Sequence, residues 1–196
     1  QQAELVITKG TANLATYNSW ITYHTDLSTN YHLYLNTSES QQNGQGDYFR
    51  DSAFTSEVFG VGDDAYGPNV SGTNMIAYCF TSKPGFSKVG SYTGTGAAGN
   101  AVVTGFEPAF VMMKKTNSTS NWYILDNKRN GPIGGNDGIL FPNSSAAEDS
   151  SYNYIDFVAN GFVLNFTNGD YNTSGGTYIY LAFAADGSTA TPSLAN

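Results

Sequence analysis

Apolar residues along this chain come in short bursts, broken at regular intervals by Gly, Asn, Asp and Ser. The bursts predict strands at Leu5–Lys9, Ser19–His24, Tyr31–Leu35, Val58–Gly62, Met75–Phe80, Ser87–Tyr92, Ala101–Thr104 and Phe110–Lys114. Further strands are predicted at Trp122–Asp126, Gly138–Phe141, Tyr154–Val158, Phe162–Phe166 and Tyr178–Ala184. Turn dipeptides separate them: Asn43-Gly44, Asn130-Gly131, Asp137-Gly138, Asn160-Gly161, Asn168-Gly169 and Asp186-Gly187. No window sustains apolar residues at i, i+3, i+4 and i+7 long enough for a helix. Many short strands with regular turns predict an all-β sandwich or barrel.

One strand stands apart. In TYIYLAFA both alternating sets, Ile179/Leu181/Phe183 and Tyr178/Tyr180/Ala182, are largely apolar. A half-exposed strand alternates with polar residues, so this one is expected at the centre of the fold, covered on both faces. Met75–Phe80 (MIAYCF) has the same character and the same expectation.

These two strands belong to a repeat. SGTNMIAYCF at 71–80 returns as SGGTYIYLAF at 174–183, a shift of 103 residues. LYLNTS (33–38) matches LFPNSS (140–145), and ELVITK (4–9) matches AFVMMK (109–114). Trp20 falls on Trp122, Phe59 on Phe162 and Asn69 on Asn172. The order of segments is the same in both halves. Two tandem, jelly-roll-like β-sandwich modules are expected, 1–82 and 83–196, the second ending in a polar tail. FSKVGSY and AVVTGF open the second module, and the first has no counterpart to them. Either sequence upstream or another chain is expected to supply those strands.

Composition narrows the function. Aromatics reach 14% and charged residues only 12%, the opposite of a disordered chain. The net charge of −8 argues against a nucleic-acid partner and against docking on an anionic membrane. No apolar run approaches the ~20 residues that span a bilayer, so no membrane insertion is expected. The lone Cys79 cannot form an internal disulfide, and its alignment with Ala182 reads as a small buried slot.

Candidate chemistry is sparse. Glycoside hydrolysis needs two facing carboxylates, but Asp63-Asp64 and Glu148-Asp149 are adjacent pairs in loops and point apart. No catalytic residue is assigned. His24 and His32 could meet across a hairpin, but no third metal ligand accompanies them. No cofactor is expected, though calcium would suit the oxygen donors of the loops 60–69 and 165–172. Asx turns explain the same residues. The recurrence of Trp20 and Trp122 favours a core role. In the loops an aromatic ring lies beside carboxylate and amide groups, a combination suited to a sugar ring. The candidate glycan contacts are Asp63, Asp64, Tyr66, Asn168, Asp170 and Tyr171. Six N-x-S/T sequons need no explanation beyond abundant Asn, Ser and Thr.

The run from Ile76 to Gly94, with FEPAFVMMKKTNSTSNWYILDNKR at 106–129, resembles modules of structural and tail-fibre-like proteins of tailed phages, many from marine viruses. SAAEDSSYNYIDFVANGF (145–162) and SGGTYIYLAFA (174–184) extend the likeness over nearly the whole chain. The resemblance implies a non-enzymatic virion protein on an extracellular particle, in a tail fibre or appendage that contacts host-surface glycan. Its partners would be other virion proteins and further copies of itself. A capsid-decorating or fibre-shaft module without a ligand is the alternative, and a polysaccharide depolymerase a weaker one.

Overall fold

In the computed structural model the described residues are 1–11, 19–44, 48–62, 67–167 and 170–185. The chain is all-β. Its strands are β1 Leu5–Gly10, β2 Ile21–His24, β3 Tyr31–Tyr34, β4 Gln42–Asn43, β5 Met75–Phe80, β6 Ser87–Thr93 and β7 Asn100–Val103. They continue with β8 Pro108–Lys115, β9 Trp122–Asp126, β10 Ile155–Val158, β11 Gly161–Leu164 and β12 Thr177–Ala184. One 3-10 turn, Asp51–Ala53, interrupts them.

Three antiparallel sheets form, with orders β4-β3-β2-β1-β5, β6-β12-β8-β9 and β10-β11-β7. The second sheet is the middle layer. Period-two alternation sends Val89, Met112, Trp122, Ile179 and Leu181 to one face, where they pack on Leu5, Ile7 and Leu33 of the first sheet. It sends Val111, Met113, Tyr123, Tyr178, Tyr180 and Ala182 to the other, against Val102, Ile155, Phe162 and Leu164 of the third. β12 is therefore buried on both faces, as its two apolar sets predict. The first sheet's outer face, Val6, Ile21 and Tyr23, lies under Phe49 and Phe54 from the segment after β4. Both halves of the chain contribute to the core between the first and middle sheets.

The sequence repeat is also a repeat of register. Ile7 pairs with Thr22 and Tyr78; Met112 pairs with Ile124 and Leu181. Thr22 opposes Leu33 as Ile124 opposes Leu140, and His32 opposes Gln42 as Ile139 opposes Asp149. Phe49 bridges Val61 as Ile155 pairs with Leu164. Even a side-chain bond recurs: the Trp20 N–H donates to Asn36 Oδ1 at 2.7 Å and the Trp122 N–H to Asn143 Oδ1 at 2.8 Å.

The halves differ where β6 and β7 stand. β6 covers the free edge of β12, and β7 pairs with β11. Among the described residues β5, the counterpart of β12, has only β1 beside it and is the edge of its sheet. This overturns two expectations. Met75–Phe80 is not central: Ile76 is 39% and Tyr78 46% exposed. Cys79 is not in a buried slot but exposed. An apolar pattern reads the same on a covered strand and on an uncovered one.

Smaller corrections follow from strand length. Val58–Gly62 and Gly138–Phe141 contribute isolated bridges rather than ladders, and the short β4 was not expected. Gly161 stands where β7 comes closest: a Cβ there would overlap the Val102 carbonyl. Its counterpart at the 103-residue shift is Val58, which is 59% exposed.

Candidate functional site

The fold buries the polar side chains of Asp137, Lys114 and Asn172 and gives each of them hydrogen-bond partners. Asp137 is 1% exposed, and its Oδ2 accepts the N–H groups of Tyr154 (2.7 Å) and Ile155 (2.8 Å) where β10 begins. Burial raises its pKa, while those two amides oppose the shift. Lys114, fully buried on β8, donates through Nζ to the carbonyls of Lys115 (2.9 Å), Ser120 (2.9 Å) and Ser38 (3.3 Å). The last belongs to the first half of the chain, so this ammonium ties the halves together. Desolvation lowers its pKa to about 8.

The acidic pair in the 145–153 loop is likewise engaged. Asp149 accepts from the Tyr154 hydroxyl (2.8 Å) and the Ser151 N–H (3.0 Å), and bonds to Ser151 and Tyr154 hold its pKa below the usual range. Glu148 lies 3.6 Å from Arg129, which also pairs with Asp126. Asn172 is 1% exposed. Its Oδ1 accepts from the Thr95 N–H and Asn100 Nδ2, and its Nδ2 donates to the Ala97 carbonyl. That clamp fixes the β6–β7 connection.

The two histidines do not converge. His24 faces the middle sheet; His32 points to the opposite face and stacks on Tyr48, with ring centroids 3.9 Å apart. His24 Nδ1 accepts the Asp26 N–H at 3.0 Å. Burial lowers its pKa to about 4, against the pull of Asp26, the Tyr180 and Gly90 backbone and Glu4. Among the described residues, no group of three or more His, Cys, Asp or Glu is placed to hold a metal.

Of the six residues expected at a glycan, Asp63, Asp64, Tyr66 and Asn168 lie outside the described residues. Asp170 is exposed, and its carboxylate accepts from the Tyr123 hydroxyl at 3.5 Å. Tyr171 turns the other way. Its ring is 6% exposed and packs edge-on against Tyr123 (5.2 Å) and Tyr154 (5.3 Å). Burial is the main reason its pKa is raised. Tyr171 therefore serves the core, and the structure does not bring it to a surface with Asp170.

What sequence reasoning missed is an open hollow of about 560 Å³ at one end of the seam between the first and middle sheets. Asp26, Gln41, Asn117, Thr93 and Thr177 line it, while the Tyr92 and Tyr178 rings, stacked 4.7 Å apart, lie on the opposite face of the middle sheet, in the core toward the third. Gln41 is held by its N–H to the Thr116 carbonyl at 2.9 Å, and Asn117 Oδ1 accepts the Thr177 N–H at 3.3 Å. Carboxylate, amide and hydroxyl groups gathered in one hollow suit a polyol. These residues come from separate loops and strand ends of both halves, so no local motif could have announced them.

A family model described as a domain of unknown function, DUF7483, matches residues 1–186. No curated protein and no solved structure matches the chain.

Proposed function

The chain belongs to the DUF7483 family, and we propose that it is a non-enzymatic structural module pair, 1–82 and 83–196, of a tail-fibre-like appendage on a virus particle. The observation that carries this reading is the repeated register: one strand order built twice, with a core between the first and middle sheets to which both copies contribute. Repetition of one unit is how extended appendages and multivalent surfaces are made. Three groups capable of acid–base chemistry, Asp137, Lys114 and Asp149, are engaged in holding loops and strands. The resemblance to tailed-phage proteins supplies the particle. Immunogold labelling of purified particles tests the reading: label on an appendage supports it, and absence of the chain from the particles overturns it.

The hollow beside Asp26, Gln41 and Asn117 favours a second role, weak contact with host-surface glycan. Many copies on one particle would compensate for weak single sites. A glycan array probed with the chain multimerised on beads, wild type against Asn117→Ala, tests it. Binding that the substitution weakens supports the hollow. Binding that it leaves unchanged places the contact elsewhere, and no binding removes the glycan role.

A further inference from the structure

Among the described residues the first sheet ends on a strand that is apolar, uncharged and open. Phe80 and Asn74 direct their carbonyls at β1, so alternation turns the N–H and C=O groups of Met75, Ala77 and Cys79 outward. Edge strands are ordinarily blunted by charge, proline or a bulge; Met75–Phe80 has no charged residue and no proline. At the 103-residue shift these three residues correspond to Tyr178, Tyr180 and Ala182, and there the same edge is occupied by β6 along its length. The described residues thus contain the complete interface once and the uncovered half of it a second time.

We propose that the outer edge of β5 is an acceptor site for strand addition, taking an extended segment of the β6 type from outside residues 1–196. The pairing follows the β12–β6 register, antiparallel. Phe80 stands opposite the position of Ser87, Tyr78 opposite Val89 and Met75 opposite Tyr92. One specificity difference is built in. Gly90 has no side chain because a Cβ would sit 2.8 Å from the Tyr180 hydroxyl. Ala77 replaces Tyr180 in β5, so a donor for this edge accepts a side chain at that position. The addition is limited to β5: Val58 stands at the place of Gly161, so a β7-type strand cannot follow as closely. The inference does not depend on the particle reading.

The probe is a capped peptide of residues 85–95, and its Gly90→Val form, added in excess to the whole chain. Both peptides are expected to slow amide exchange at Met75, Ala77 and Cys79 about tenfold or more and to slow alkylation of the single cysteine. Exchange across β12 stays unchanged with the Gly90→Val peptide, which Tyr180 excludes. Ala77→Pro, placed on an outward N–H, abolishes the protection while sparing the β1 ladder. If that variant does not fold, the two peptides on the wild type decide alone. Unchanged exchange with both peptides overturns the proposal. So does activity of the parent peptide alone with protection confined to β12, which is exchange with β6. Protection of β5 that grows with protein concentration and without peptide also overturns it, since the occupant is then a second copy.

Discussion

Acid should loosen the seam between the first and middle sheets through one side chain, His24. It is fully buried, and its neutral ring accepts the Asp26 N–H at Nδ1. Protonation destroys that acceptor and places a charge between the sheets. Its folded pKa of about 4 lies below the ordinary 6.5, so its stabilising share is intact above 6.5 and is lost as pH falls toward 4. Each unit is worth about 1.4 kcal/mol, which gives a loss of about 2 kcal/mol by about pH 5 and about 3 kcal/mol by about pH 4. That is a large part of the ~5–15 kcal/mol that stabilises a domain. The assay is urea unfolding from about pH 8 to about pH 4.5, wild type against His24→Asn, whose amide oxygen can still accept the Asp26 N–H. Asp137 and Asp149 titrate in both proteins with opposite signs, and the difference between the curves cancels them. The wild type should lose stability relative to the variant by the stated amount. Parallel curves, or a histidine signal titrating near 6.5 in the folded protein, would refute the reasoning.

Other outcomes follow from the same packing. Gly161→Val should cost more than about 3 kcal/mol by driving a side chain into β7, whereas Val58→Gly, at the matching open position, should cost under about 1 kcal/mol; thermal unfolding of both variants checks the contrast. Asp137→Ala should cost about 2–3 kcal/mol, because two buried N–H groups lose their acceptor, and Asp137→Asn less. Tyr123 and Tyr180 have pKa values pushed up to about 12 by burial, with Tyr92, Tyr154 and Tyr171 also raised. Raised phenol pKa values mean stability that is present below about pH 10 and lost above it, so a phenolate absorbance titration should show these rings ionising together with unfolding.

How much of this was legible depended on whether local pattern and tertiary position agree. β12 was readable because two apolar sets on one strand demand two covered faces, and both exist. β5 carries the same pattern but lacks the covering strand, and a pattern cannot report a missing neighbour. Alignment of Cys79 with Ala182 transferred the fold correctly and the burial wrongly for the same reason. Tyr171 was paired with Asp170 because they adjoin in sequence, yet the backbone turns there and sends one ring into the core. The buried ammonium of Lys114 is not legible from the repeat, because its counterpart Lys9 is half-exposed and lies over Trp20. The hollow depends on loops brought together from both halves, and only the fold assembles it.

The central claim is that one sheet is built twice and left open once. Residue-resolved amide exchange on the dilute chain measures it directly. Tyr178, Tyr180 and Ala182, bonded to β6, should exchange only through global unfolding. Met75, Ala77 and Cys79, their counterparts on the outward side of β5, should exchange orders of magnitude faster, while Ile76 and Tyr78, paired to β1, stay slow. Equal protection of the two outward sets in the dilute chain would contradict the account.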